Sequence, residues 1–139
     1  MSETAERDEM AIAQGNAFVW HEVYGASADA SVDFYTKALG FGIQEWPMGE
    51  MGTYKMLTRD GKAVAGIVGT AEDPRVSDVP PHWSVYIGVD DVDARLAKCI
   101  EHGAKLLHGP MDIPSIGRTA LIQDPQGATC WIFKSESSQ

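Results

Sequence analysis

The chain has 139 residues with 20 acidic and 11 basic side chains, which gives a formal net charge of −9 and a pI near 4.7. A chain of this length buries an adequate core as one domain without disulfides or structural metals. Its acidity excludes nucleic acid from the expected partners, because affinity for phosphate backbones comes mainly from Lys and Arg.

The cysteines and the N-terminus predict the cellular compartment. Cys99 and Cys130 lie in apolar segments without C-x-x-C spacing, so we expect small buried side chains in a reducing compartment rather than a disulfide. Residues 1–16 are polar and lack the apolar core of a signal peptide, and no later segment is long enough to span a membrane. We therefore expect a loosely ordered tail over 1–16, a cytoplasmic location and no membrane partner.

The first predicted elements are a strand and a helix. Residues 18–24 are rich in aromatic and β-branched side chains, and alternation places Trp20, Glu22 and Tyr24 on one face of the strand. Ser27 is a suitable N-cap for a helix that ends at Gly40, a residue that readily adopts the left-handed conformation. An apolar stripe supports this helix and consists of Ala28, Val32, Tyr35 and Leu39.

Three further strands are predicted at residues 41–46, 53–58 and 62–68, the last two joined by a turn at Asp60 and Gly61. They complete a βαβββ unit. The following residues, 70–81, are rich in Pro, Asp and Ser and predict a linker.

The second half repeats this order. Residues 82–88 predict a strand, and Asp90 or Asp91 caps a helix over 91–102 whose stripe consists of Val92, Leu96, Cys99 and Ile100. A short strand at 104–108, a Pro- and Gly-containing loop at 110–118 and a closing hairpin follow. The hairpin has strands at 119–123 and 128–133 around the turn Asp124–Gly127.

Matching landmarks in the two halves recur at nearly one offset. The dipeptides that begin at Pro47 and Pro110 are 63 residues apart, and the turn residues Asp60 and Asp124 are 64 apart. Two repeats of this size are too few for a solenoid, so they indicate two fused, pseudo-symmetric halves of one domain.

This arrangement resembles the glyoxalase, bleomycin-resistance and extradiol-dioxygenase superfamily, which has the vicinal oxygen chelate fold. The motifs that carry the resemblance over residues 17–134 are Asp33-Phe34-Tyr35, Leu39-Gly40-Phe41, Val89-Asp90-Asp91-Val92 and Asp124-Pro125-Gln126-Gly127. The resemblance implies an α+β fold in which two βαβββ modules, at about 17–69 and 82–134, form a curved eight-stranded mixed sheet. Its concave face, the cup, would hold a ligand. The resemblance also implies a homodimer, and residues 135–139 are predicted to form a C-terminal tail.

Metal-dependent members of this superfamily place one ligand on a central strand of each half-module. The corresponding positions here are Trp20, a residue near Ala65, Ser84 and Trp131, none of which is a usual ligand. The segment 61–71 contains no His, Glu, Asp, Gln or Cys. We therefore predict no metal and no other cofactor.

Aromatic and acidic residues are predicted to fill the cup on one side. Trp20 and Trp131 offer large rigid rings for contact with a planar ligand. The alternative is that these two rings fill the cup as part of the hydrophobic core. Tyr54 is also predicted to be a ligand-binding residue. Glu22 shares the face of Trp20 and is a candidate general base or an anchor for a cationic group, unless it lies solvated at the rim.

The opposing wall is predicted to contain His82, Ser84 and Tyr86, which alternate along one strand and would supply a base and two hydroxyls. The alternative for His82, which follows two prolines at a strand edge, is an exposed or structural histidine. Arg118 is a candidate clamp for a carboxylate or phosphate, or else an exposed surface arginine. The remaining histidines, His21, His102 and His108, are predicted to be structural or exposed. The loops 47–52 and 110–118 flank the mouth of the cup, as lids or as plain connectors.

Three functions remain open at this point. The first is metal-independent binding of a small planar or cationic molecule, such as an antibiotic or metabolite, as in drug-sequestering members of the superfamily. The second is a metal-dependent lyase or isomerase resembling glyoxalase I, or a dioxygenase. The third is metal-free acid–base catalysis by Glu22 and His82 on an enolisable substrate. The sequence therefore leaves open whether the protein is an enzyme.

Overall fold

A computed structural model describes residues 17–136, so the predicted tail at 1–16 and residues 137–139 lie outside the described part of the chain. The elements in chain order are β1 (Phe18–Gly25), α1 (Ala28–Leu39), β2 (Gly42–Pro47), β3 (Thr53–Arg59), β4 (Lys62–Gly69), β5 (His82–Gly88), α2 (Val92–Glu101), β6 (Lys105–Ile113), β7 (Gly117–Gln123) and β8 (Thr129–Ser135). This order contains the predicted βαβββ sequence twice. In the part that the structure describes, neither helix is long and apolar enough to cross a membrane.

The chain divides into two compact units. The N-terminal unit is Trp20–Ser84, and the C-terminal unit begins at Val85 and includes the described residues before Trp20. The strand order is β2-β3-β4-β1 in the first set and β5-β8-β7-β6 in the second. In each set one pair is parallel, β1 with β4 and β5 with β8, and the other pairs are antiparallel. The predicted mixed α+β architecture is therefore confirmed in each half.

Helix α1 is positioned by caps at both ends, as predicted. The Ser27 hydroxyl accepts a hydrogen bond of 3.1 Å from the Ala30 N–H, and Gly40 ends the helix at φ 77°. The helix packs against one face of the N-terminal sheet. The buried core between them consists of Val23, Ala28, Leu57, Ala65 and Ile67.

Helix α2 has the same relation to the C-terminal sheet. Asp91 is the N-cap and accepts a hydrogen bond of 3.0 Å from the Ala94 N–H, whereas the alternative cap, Asp90, pairs with Arg95. The buried core consists of Val92, Leu96, Ala120, Ile122 and Ile132. Both cysteines are free and pack against this core half-buried.

The predicted strand at 104–108 is confirmed but is longer than expected, and the predicted loop at 110–118 is wrong. Strand β6 continues to Ile113, and only residues 114–116 separate it from β7. The β6–β7 ladder shifts register between His108 and Met111, so the intervening Gly109 and Pro110 occupy an irregularity. Pro110 has no backbone N–H to donate. Because β6 is the last strand of its set, Pro110 can be accommodated there without loss of a hydrogen bond between central strands.

The predicted linker contains only two single-turn 3₁₀ helices, Thr70–Glu72 and Pro74–Val76. The Glu72 carboxylate accepts a hydrogen bond of 3.2 Å from the Ala28 N–H at the start of α1. This contact satisfies one of the backbone donors that a helix N-terminus leaves open.

Candidate functional site

The face of the N-terminal sheet opposite α1 carries the candidate site and is called the site face below. Val23 points into the core under α1, so alternation turns its neighbours Glu22 and Tyr24 to the site face. Leu57 and Ala65 also point to α1. The same rule therefore places Tyr54 and Gly66 on the site face.

A carboxylate is at the centre of the site face. Glu22 is only 7% exposed, and the hydroxyls of Tyr24 and Tyr54 donate to its two oxygens at 2.9 and 2.6 Å. The Trp20 indole N–H donates in turn to the Tyr54 hydroxyl at 3.1 Å. Burial of a charge is costly without such partners, so this network holds Glu22 in one place among three aromatic rings.

Tyr54 acts as a hydrogen-bond donor in this network. Burial raises the pKa of its phenol far above the ordinary value, and the negative charge of Glu22 raises it further. The hydroxyl therefore stays protonated, and it directs its proton to the carboxylate.

Gly66 makes room for this arrangement. It is paired with Glu22 across the parallel β1–β4 ladder, and a Cβ at this position would overlap the Tyr54 hydroxyl. Gly66 is next to Ala65, near which the sequence predicted the position that corresponds to a metal ligand. The β3–β4 ladder shifts register beside Leu57 and Thr58, where β4 contains one extra residue.

His82 reaches the same cluster through Tyr24. Its imidazole stacks on the Tyr24 ring, with centroids 4.8 Å apart and planes 6° from parallel. Its Nδ1 lies 2.7 Å from the Pro80 carbonyl oxygen, which can only accept, so Nδ1 carries the proton. In the neutral ring Nε2 is then a hydrogen-bond acceptor. Glu22 and His82, the two predicted catalytic residues, thus contact the hydroxyl and the ring face of one tyrosine.

Ser84 lies two residues after His82 on the same side of β5. The intervening Trp83 points to α1, where its indole N–H donates to the Tyr35 hydroxyl at 3.2 Å. Ser84 is 3% exposed, and its hydroxyl has no hydrogen-bond partner among the described residues. Buried polar groups nearly always have a partner, so this hydroxyl is an unusual feature of the site.

The C-terminal unit brings together two other predicted site residues. Tyr86 and Trp131 stack with centroids 5.4 Å apart and planes 5° from parallel, and His108 and Trp131 form a T-shaped pair with centroids 6.1 Å apart. Trp131 is 9% exposed. These contacts suit a packed aromatic cluster, and a ligand-binding role for the pair stays a prediction.

Arg118 is engaged in ion pairs. Its guanidinium donates two hydrogen bonds to Asp93, at 2.9 and 3.0 Å, and one to Asp112 at 3.1 Å. The pairing lowers the pKa of the Asp93 carboxyl. These three residues line a depression of about 510 Å³. The other charged residues that line it are Asp90, Asp91, Lys134 and Glu136. Its carboxylates outnumber its cations, which disfavours the predicted role of Arg118 as an anion clamp.

Comparison with known proteins decides the family. Residues 17–132 match the sequence model of the Glyoxalase/Bleomycin resistance protein/Dioxygenase superfamily. The chain belongs to this superfamily.

Curated relatives match most of this chain. It is 35% identical over 121 residues to the "Putative glyoxylase CFP32" of Mycobacterium tuberculosis, covering 87% of this chain and 45% of that protein. It is 28% identical over 127 residues to the anthracycline biosynthesis protein DnrV of Streptomyces peucetius, covering 83% of this chain and 46% of that protein. The chain thus spans less than half the length of the curated relatives it matches.

Solved structures confirm the fold. Methylmalonyl-CoA epimerase of Streptomyces coelicolor in complex with 2-nitronate-propionyl-CoA aligns with a TM-score of 0.62 at 23% identity, over 88% of this chain and 99% of that one. At this identity the likeness concerns the fold alone. The predicted glyoxalase-type fold is therefore confirmed.

The residues at the superfamily's metal-ligand positions do not fit a metal. With the register of the structure these positions are Trp20, Gly66, Ser84 and Trp131, which supply two indoles, no side chain and one neutral hydroxyl. Across residues 17–136, no three His, Cys, Asp or Glu side chains are grouped so that they would hold a metal ion.

Sequence reasoning missed two members of the site. Tyr24 appeared only as a neighbour on the face of Glu22, although it contacts both Glu22 and His82. Gly66 was missed because its role depends on the absence of a side chain, which leaves room for the Tyr54 hydroxyl. A glycine within a strand is a general signal for close approach of another group, and this signal was available.

Proposed function

We propose that this protein binds a small planar aromatic cation on the site face, without a metal ion. The observation that carries the proposal is the buried Glu22 carboxylate held among the rings of Trp20, Tyr24 and Tyr54. A carboxylate attracts a cation most strongly where water is excluded. Aromatic faces add cation–π and stacking contacts to the same ligand.

Two broader features support this ligand class. The net charge of −9 favours the approach of cations over anions. A relative that is named for anthracycline biosynthesis favours a small organic molecule over a macromolecule as the partner. The residues at the four metal-ligand positions support a metal-independent mode of binding, because they offer no set of nitrogen, sulfur or carboxylate ligands. These residues are Trp20, Gly66, Ser84 and Trp131.

A matched pair of ligands tests the proposal. 9-Aminoacridine is a cation at pH 7.5, whereas acridine of nearly the same shape is neutral, so their difference in affinity measures the contribution of the ligand charge. In the presence of EDTA we expect 9-aminoacridine to bind at least about tenfold more tightly, which corresponds to about 1.4 kcal/mol. The assay is fluorescence titration of the full chain.

Two variants localise the effect. Glu22→Gln keeps the shape of the side chain and removes its charge, so the preference for the cation should disappear. Glu45→Gln, an exposed residue on β2, is the matched control and should keep it. Equal affinities of wild-type protein for the two ligands, or an unchanged preference in Glu22→Gln, would contradict the proposal.

A second candidate function is metal-free proton transfer to and from an enolisable substrate. Its specific support is His82, whose Nδ1 donates to Pro80 and whose Nε2 is then oriented as a base, with Glu22 joined to the same tyrosine. Deuterium exchange into hydroxyacetone, followed by NMR, tests it. This function predicts exchange above the buffer rate that survives EDTA and is lost in His82→Asn and in Glu22→Gln. Exchange at the buffer rate would leave binding alone.

The predicted homodimer and cytoplasmic location still rest on the resemblance and the sequence. We propose the homodimer as the working assembly, and sedimentation equilibrium of the full chain measures it directly. A single species with the 15.1 kDa mass of the monomer would contradict it.

A further inference from the structure

We propose that Ser84 and His82 together recognise a hydroxyl group of the ligand, so that the ligand is a hydroxylated aromatic molecule. The inference rests on the proposed small-molecule function and names the group that the ligand presents to β5. It concerns two side chains that the Glu22 network leaves unused.

The first observation is the orphaned hydroxyl. Ser84 is 3% exposed and its Oγ has no hydrogen-bond partner in the described part of the chain. A buried hydroxyl without a partner has lost its hydrogen bonds to water and destabilises the protein. A ligand atom that accepts the Ser84 proton would recover this energy on binding.

The second observation is the orientation of His82. The Pro80 carbonyl fixes the proton on Nδ1, and stacking on Tyr24 fixes the plane of the ring. In the neutral imidazole Nε2 therefore requires a donor, and no described residue donates to it. The two side chains thus present complementary requirements, one for an acceptor and one for a donor.

Strand geometry brings these requirements to one place. His82 and Ser84 are two residues apart on β5 and point to the same side, because Trp83 between them points to α1. Their Cα atoms are about 6.6 Å apart, which allows one oxygen between the side chains to hydrogen-bond to both. A hydroxyl meets both needs at once, since it donates its proton to Nε2 and accepts the proton of Ser84.

The ligand framework follows from the neighbouring residues. His82 is stacked on Tyr24, whose hydroxyl donates to Glu22, so the hydroxyl site borders the aromatic cluster of the site face. A phenol fused to a further ring presents both a hydroxyl and a planar apolar body. An aromatic ether of the same size lacks only the donor.

The test compares 2-naphthol with 2-methoxynaphthalene by equilibrium dialysis against the full chain. We expect wild-type protein to bind 2-naphthol about tenfold more tightly, as the gain of one satisfied hydrogen-bond pair implies. In Ser84→Ala and in His82→Asn this preference should fall below about threefold. Asn keeps a donor for the Pro80 carbonyl but lacks an atom at the position of Nε2.

Controls separate recognition from damage to the fold. Ser84→Ala should be at least as stable to urea as wild type, because it removes a buried unsatisfied group. Ser84→Thr keeps the hydroxyl and should retain the preference. Ser77→Ala changes an exposed serine of the same unit and should also retain it.

The outcomes distinguish this inference from the proposed function. If 9-aminoacridine binds through Glu22 but 2-naphthol shows no advantage over its ether, the hydroxyl site is wrong and the proposed function stands. If Ser84→Ala keeps the full preference for 2-naphthol, the hydroxyl site is equally wrong. If none of the four ligands binds wild-type protein, both proposals fail.

Discussion

In the N-terminal unit Glu22 pairs with Gly66 across β1 and β4, whereas at the matching place in the C-terminal unit Tyr86 pairs with Trp131 across β5 and β8. The first pair leaves space that Tyr54 enters to reach the carboxylate. The second pair fills its own space with two stacked rings. One duplicated position thus combines a carboxylate with a glycine, and the other consists of two stacked aromatic rings.

The helix-facing sides of the two units differ much less. Each consists of aliphatic and small side chains beneath one capped helix, with Leu57 and Ala65 in one core and Ala120 and Ile132 in the other. Close packing constrains these faces, because a change of even one methylene alters the core. The opposite face of each sheet does not pack against the helix of its unit, so its side chains are less constrained. The two units differ in chemistry on these faces. Predictions that separate the two faces therefore test the functional assignment.

Replacement of Trp131 by Ala should have the largest effect. The variant removes a buried ring that stacks on Tyr86 and contacts His108, so we expect the free energy of unfolding to fall by about 3–5 kcal/mol. Urea denaturation measures the loss. The control is Trp83→Ala, because Trp83 is 48% exposed and should cost clearly less. Equal losses in the two variants would show that Trp131 is not a core residue.

Gly66→Ala should disrupt the N-terminal unit through Tyr54. The added methyl group overlaps the Tyr54 hydroxyl, so the ring must move away from Glu22, at an expected cost of about 1–3 kcal/mol in unfolding free energy. A double-mutant cycle with Tyr54→Ala isolates this clash. In that background Gly66→Ala should be nearly neutral or slightly stabilising. Additive effects would contradict the close approach.

Tyr54→Phe should cost about 1–2 kcal/mol, because Glu22 loses a donor and the Trp20 N–H loses its acceptor. The pH dependence carries the sharper signature. The folded-state pKa of Tyr54 is raised, so above the ordinary tyrosine pKa of about 10 the unfolded chain releases this proton and the folded chain keeps it. The contribution of Tyr54 to the free energy of unfolding is therefore fully present below pH 10 and decreases above it. The decline should be shallower in Tyr54→Phe when urea titrations are compared across this range.

Arg118→Gln should have the smallest effect on the fold. It should raise the pKa of the Asp93 carboxyl toward its ordinary value, because the guanidinium that holds it down is removed. Carbon-detected NMR titration of the aspartates measures the change. The pKa of Asp90, which Arg95 lowers, is the internal control and should not move. A constant Asp93 pKa would show that the pair does not persist in solution.

Local signals in the sequence were sufficient for most of the fold. The caps at Ser27 and Asp91 and the terminator Gly40 define the helices through contacts within a few residues. The period-two pattern places Trp20, Glu22 and Tyr24 on one face. The extension of β6 to Ile113 was not predicted, because Gly and Pro ordinarily indicate a loop and only the edge position allows them in a strand.

The site was less predictable because its contacts are distant in sequence. Glu22 and Tyr54 are 32 residues apart, and their meeting depends on the missing side chain of Gly66 on a third strand. The bulge beside Thr58 shifts β4 by one residue, which a count from the turn does not reveal. Residue types alone also do not show that Arg118 is engaged with Asp93 rather than available to a ligand.

The most direct test of metal-independent binding at Glu22 is the number of 9-aminoacridine molecules bound per chain before and after exhaustive chelation. Fluorescence titration at high protein concentration gives this number for the same sample in both states. The proposed function predicts one site per chain with the same affinity in both states, because the proposed contacts of the ligand are a carboxylate and aromatic rings and include no metal ion. Loss of binding on chelation, with recovery after a divalent metal is added, would contradict it.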